Sequence, residues 1–133
     1  MSWNTKILIA GVTFVVVVAG AWFAHPSLRR PESSIRASLL HETPLGSTSQ
    51  EVRALVERRG WLDRNYIGDA GFLKQDPGVP AVEVGVTSLR GELGHYWELP
   101  TPLPFRTDVT AFWGFDKDGR LIDIWVWKTT DAL

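Results

Sequence analysis

The sequence predicts an α+β domain carried behind an N-terminal membrane helix. Three observations predict it: an uncharged apolar run near the N-terminus, a fully signalled amphipathic helix over residues 49–59, and strand-like segments after that helix. Helix first and strands after, without alternation, indicates one or two short helices on one face of an antiparallel sheet that ends in a β-hairpin. A chain of 133 residues suits one small domain and is too short for a multidomain enzyme.

From Ile7 to Ala24 the chain reads ILIAGVTFVVVVAGAWFA, without a charge. A helix of that length spans about 27 Å at 1.5 Å per residue, close to the hydrocarbon core of a bilayer. A buried core helix would place polar residues at helical spacing, and this run has none. Trp3 and Trp22 lie near its two ends, where amphipathic rings favour the interface. Residues 1–24 therefore read as a transmembrane anchor or a signal segment. Ala19-Gly20-Ala21 fits the small-x-small pattern of a cleavage site, but the apolar run continues past it through Trp22, Phe23 and Ala24. The run favours a retained single-pass anchor; the alternative is a secreted or periplasmic product cut near Ala21. Positive charges lie on both sides, Lys6 before the run and Arg29, Arg30 and Arg36 after it. Counted literally they leave the domain in the cytoplasm. The signal-like layout points the other way, to an extracytoplasmic domain, because a short N-terminal tail is hard to translocate against its own charge.

Residues 25–34 (HPSLRRPESS) carry two Pro, three Ser and two Arg and read as a linker. The remaining 35–133 show no repeat and no low-complexity tract, and form one small α+β domain. Ile35, Leu39 and Leu40 give a short amphipathic helix that stops before Thr43-Pro44. Thr48-Ser49-Gln50-Glu51 is a capping box, followed by an apolar stripe of Val52, Leu55 and Val56. Gly60 supplies the left-handed residue that ends this helix, and Trp61 packs back on Val56.

Strands follow. Tyr66 to Leu73 is weak, broken by Gly68 and Gly71, and Asp76-Pro77-Gly78 is a turn. Val82, Val84 and Val86 alternate with Glu83, Gly85 and Thr87, the period of a half-buried strand. A strand with Tyr96 and Trp97 extends or pairs with it. Pro100-Thr101-Pro102-Leu103-Pro104 is a loop. Val109–Phe115 and Leu121–Lys128 are the strongest strands, joined through Asp116-Lys117-Asp118-Gly119 as a type I turn with Gly119 left-handed.

Two stretches resemble a known pattern. The run Thr43–Val52 (TPLGSTSQEV), continuing through Leu55 to Gly60, resembles the "pG-t-eeV-xxLG" helix start of BamE/SmpA-like envelope lipoproteins. Val109 to Val126, with the turn Phe115–Arg120 (FDKDGR), resembles the "v-FdkdGrv" hairpin of the same group. That group shares its helix-plus-sheet architecture with β-lactamase inhibitor proteins. The resemblance implies a non-catalytic envelope protein that works by contacting other proteins. It transfers no binding residue, since the matched positions are structural. This chain has no lipobox cysteine, so a membrane helix would replace the lipid, and residues 62–108 match nothing in the group.

The composition carries little chemistry. No cysteine excludes a disulfide framework, a thiol nucleophile and a Cys-based zinc site. A formal charge of -1 argues against nucleic acid as a partner. His25, His41 and His95 have no metal-ligand spacing, and no cofactor motif is present. Asp116-x-Asp118-Gly119 resembles the start of a calcium loop, but the twelfth position is Trp127 where a bidentate Glu is needed. No catalytic residue is assigned, and a hydrolase working through loop Asp/Glu residues is the least supported class.

Seven tryptophans are the compositional excess. With a three-residue G1 loop, Phe115 faces Leu121, Trp113 faces Asp123, Ala111 faces Trp125 and Val109 faces Trp127. One face then carries Val109, Trp113, Phe115, Leu121, Trp125 and Trp127, and the other Phe112, Ile122, Ile124 and Val126. Both are apolar, yet a helix-on-sheet layer buries only one. Either the N-terminal residues or the 62–108 region cover the second face, or Trp113, Trp125 and Trp127 form a binding patch. Each Trp brings roughly 150–250 Å², so three exposed together approach the size of an interaction site. Asp123 among them favours an interface that is not fully dry. The expected function is a membrane-anchored interaction or assembly module with a protein partner. The alternative is an inhibitor- or sensor-like domain with a ligand pocket under the 99–104 loop.

Overall fold

The computed structural model describes residues 27–63, 68–98 and 105–132. The apolar segment 7–24, His25, Tyr66 and the Pro-rich stretch 100–104 lie outside these residues. Among the described residues no helix is long and apolar enough to cross a membrane.

The chain is α+β: helices α1 (Glu32–Glu42) and α2 (Ser49–Arg58) precede strands β1 (Phe72–Lys74), β2 (Val82–Val84), β3 (Thr87–Glu98), β4 (Phe105–Phe115) and β5 (Leu121–Ala132). The three long strands form an antiparallel meander in the order β3-β4-β5, and β1 and β2 pair separately.

Helix α2 follows from local chemistry alone. The Thr48 hydroxyl accepts from the Glu51 backbone N–H, and the Glu51 carboxylate accepts from the Thr48 N–H. At the other end Gly60 takes φ 71°, so that Trp61 N–H reaches Val56 O at 2.9 Å and Gly60 N–H reaches Glu57 O at 3.1 Å. Helix α1 is longer than its apolar spacing predicts. It starts at Glu32, inside the stretch read as a linker, where Pro31 O receives the N–H groups of Ser34 and Ile35. It ends as expected before Pro44. Thr43 closes it by donating both its N–H and its hydroxyl to Leu39 O, each at 2.8 Å.

Both helices pack on one face of the meander. Ile35 and Leu39 from α1, Val52 and Val56 from α2, and Trp61 meet Leu89, Leu93, Val109, Ala111, Trp113, Phe115, Leu121, Ile124 and Val126. The indole N–H of Trp113 donates to the Thr43 hydroxyl at 3.3 Å, so its one polar atom is satisfied inside the core. Gly91, opposite Ala111, leaves the room this ring needs: a Cβ there would lie 2.9 Å from Trp113 Cζ3. Each edge of the meander is occupied. Trp61 O accepts from Glu92 N–H on β3, Ser47 O accepts from Leu121 N–H, and Arg36 of α1 donates to Ile124 O on β5 at 2.8 Å.

The run from Val82 to Glu98 divides where the alternation reads as continuous. Gly85 (φ 81°) turns the chain so tightly that a Cβ would sit 2.7 Å from Phe115 O. Beyond it β3 pairs with β4, from Thr87 opposite Phe115 to Glu98 opposite Phe105. The strand with Tyr96 and Trp97 is therefore β3 itself, partner of β4 and not of β2. The half-buried reading of the valines holds for Val84 but not for the other two. Val82 and Val86 are exposed, because β1 and β2 form a two-stranded flap with water on one side.

Candidate functional site

The β4–β5 hairpin decides which aromatic residues share a face. Its turn is as the sequence predicts: Gly119 takes φ 74°, and Gly119 N–H donates to Asp116 O at 3.0 Å. The Asp116 carboxylate accepts from the backbone N–H of Asp118 and of Arg120, which accounts for this acidic pair as a turn. Past the turn the register departs from the expected one. Phe115 opposes Leu121, but Gly114 opposes Asp123, leaving Ile122 as an extra residue on β5.

That one residue flips the rest of the strand. Trp113 now opposes Ile124, Phe112 opposes Trp125, Ala111 opposes Val126 and Thr110 opposes Trp127. Trp113 is 0 % exposed among the core side chains beneath the helices. It does not join Trp125 and Trp127, and the three-tryptophan patch is corrected accordingly. Trp125 and Trp127 lie on the outer face with Phe112, while Ile124 and Val126 turn into the core. The bulged Ile122 is 43 % exposed.

The outer face carries a contiguous aromatic row. Trp125 stacks on Trp127 (ring centroids 5.7 Å apart, interplanar angle 11°) and on Phe112 (5.4 Å, 28°). Phe72 of the β1–β2 flap lies over Phe112 and Trp125, at 5.7 and 6.2 Å. Gly114 admits the flap, since a Cβ there would lie 2.9 Å from the Phe72 ring. The 62–108 region thus covers one end of the outer face. Trp127, 47 % exposed, is left at the open end of the row.

Of the three depressions that border Trp127 among the described residues, two bear on the open end of the row. One, of about 830 Å³, runs between Phe112, Trp125, Trp127 and the turn 75–79. The other, of about 310 Å³, is polar, bordered by Arg90, Glu92, His95, Arg106, Asp108 and Thr110 with Trp127 as its shared wall. Within it Arg106 and Asp108 pair at 2.8 Å. The row is bounded on its other flank by Asp123, which accepts from Arg36 at 2.5 Å and from Ile124 N–H at 2.8 Å, with Lys74 3.8 Å away. These partners tie α1, β1 and β5 together. Asp123 is therefore explained by internal pairing, and its presence says nothing about how wet an interface is.

No group of three or more His, Asp or Glu side chains among the described residues could hold a metal ion. His41 and His95 are both exposed, and His95 packs edge-on to Trp97 at 6.5 Å between centroids. Ser47 donates to Pro44 O, and Thr48 is the cap of α2. The arrangement supplies flat apolar area bordered by charge, the chemistry of contact. Sequence reasoning missed Phe112 and Phe72 as members of the row; the bulge that brings Phe112 there leaves no mark in the residue types. Comparison with protein-family models, with curated proteins and with solved structures finds no match.

Proposed function

We propose that the chain is a membrane-anchored envelope protein whose α+β domain is a non-catalytic interaction module. Residues 7–24 serve as a retained anchor with the domain outside the cytoplasm, and the outer-face row Phe112–Trp125–Trp127 is the contact surface for a protein partner. The observation that carries this is Trp127. It is half exposed at the end of a stacked row, on the sheet face away from the helices. Aromatic side chains in such positions anchor protein interfaces, because large apolar area is desolvated with little side-chain entropy lost. The resemblance of the α2 start and of the β4–β5 turn to BamE/SmpA-like lipoproteins supports the same class.

A second reading, an inhibitor- or sensor-like domain for a small ligand, is favoured by the depression of about 830 Å³ beside the row. A photo-crosslinking residue at position 127 of the full chain, activated in a bacterial host, separates the two. A discrete protein adduct from position 127, absent from position 117 in the far turn, supports the module. Absence of any adduct, with the chain in the membrane fraction, removes it in favour of the ligand-binding reading.

A further inference from the structure

We infer that the folded domain is seated directly on the bilayer, with the end of the sheet where β3 finishes and β4 begins held at the lipid headgroups. This rests on the reading of residues 7–24 as a retained anchor. It departs from a domain carried on a linker over residues 25–34.

The described part of that stretch is stitched to the sheet. Arg29 donates to Trp97 O at 2.9 Å, and its guanidinium lies 4.9 Å over the Tyr96 ring. Leu28 packs at Gly94, where a Cβ would come within 2.9 Å of its Cδ1. Lys128 of β5 donates to Arg30 O at 2.6 Å and to the Tyr96 hydroxyl at 3.3 Å, and Arg30 donates to Ser38 of α1 at 3.0 Å. The chain is thus fixed to α1, β3 and β5 from Leu28 onward. Three peptide links separate Ala24 from Ser27, and even fully extended they reach at most about 11 Å. The headgroup layer is itself about 5–8 Å deep on each side of the hydrocarbon. A tether that short holds the part of the sheet that Leu28 and Arg29 touch, from Gly94 to Trp97 and so the half nearer the end of β3, at the headgroups.

The side chains at that end suit the position. Trp97 is 39 % exposed, and an indole is favoured at the interface. Arg29, Arg30 and Lys128 donate to carbonyl and hydroxyl oxygens, which leaves their charge uncompensated by those contacts and available to phosphate headgroups. The carboxylates on neighbouring positions are Glu32, which lines one depression with Lys128, and Glu98, Asp108 and Asp131, of which Asp108 is paired with Arg106. At about 3.3 Å per residue, β4 carries the chain roughly 33 Å along its length. The Asp116–Gly119 turn therefore stands at the far end, away from the membrane.

The chain has no cysteine, so single-cysteine labelling needs no background removal. Full-length Glu98→Cys, Asp131→Cys, Lys117→Cys and Val15→Cys proteins, each carrying a fluorophore, would be reconstituted in mixed phosphatidylcholine–phosphatidylglycerol vesicles. Nitroxide lipids would quench from the headgroup or from the acyl chain. The expected result is several-fold stronger headgroup quenching at positions 98 and 131 than at 117, with acyl-chain quenching at 15. Equal quenching at 98, 131 and 117, with position 15 quenched, overturns the seating and leaves the anchor standing. Absence of quenching at 15 overturns the anchor and the seating with it.

Discussion

Phe112 and Trp125 stand directly opposite each other across β4 and β5, with their rings stacked 5.4 Å apart on the face away from the helices. The pair exists because Ile122 is an extra residue on β5. Without the bulge, Trp125 would face Ala111 and turn toward the helices.

Deleting Ile122 tests this register. The deletion joins Leu121 to Asp123 and makes the ladder regular, with every downstream pair unchanged. The expected outcome is a folded protein with near-wild-type far-UV circular dichroism and a single unfolding transition. Deleting Lys128 instead, inside the regular part of the strand, shifts the remaining residues to the opposite face and is expected to disrupt pairing with Phe105–Asp108.

Gly91→Ala is expected to destabilise the domain by about 1–3 kcal/mol in urea unfolding, the usual range for overpacking. The added methyl meets Trp113 Cζ3 at 2.9 Å and Trp61 Cβ at 3.5 Å. The indole cannot retreat without giving up its hydrogen bond to Thr43. A neutral substitution would mean that Trp113 is not held where the core places it.

Thr48→Ala removes one half of a complete capping box and is expected to lower stability by about 1 kcal/mol. Thr48→Ser keeps the acceptor and is expected to recover most of the loss. Chemical denaturation of the two variants side by side gives the comparison.

What the sequence made legible follows the range of the forces involved. Helix α2 was readable from end to end because Thr48, Glu51, Val52, Val56, Gly60 and Trp61 are all near neighbours in the chain. The Asp116–Gly119 turn was readable for the same reason. The helical start at Glu32 was not, because Pro31 and two serines look alike in a linker and at a helix N-terminus. The bonds that fix this stretch reach Trp97 and Lys128, about 70 and 100 residues away. The candidate site was legible in part. A surplus of apolar surface on the terminal hairpin was evident from composition and period. The identity of its members turns on a bulge at an isoleucine, a residue type that carries no bulge signal, and so residue types alone put Trp113 on the face of Trp125 and Trp127. That β3 pairs with β4 and not with β2 depends on the close approach of Gly85 to Phe115, a contact between residues 30 apart.

The most direct test of the outer face as a contact surface is a pair of alanine substitutions, unfolded by urea as full chains in detergent micelles. Trp127→Ala is expected to cost no more than about 1.5 kcal/mol, the scale of one aromatic stacking contact. Trp113→Ala is expected to cost about 3–5 kcal/mol, as for a buried tryptophan. A loss at Trp127 as large as that at Trp113 would contradict the account, because it would make Trp127 a core residue with no surface to offer a partner.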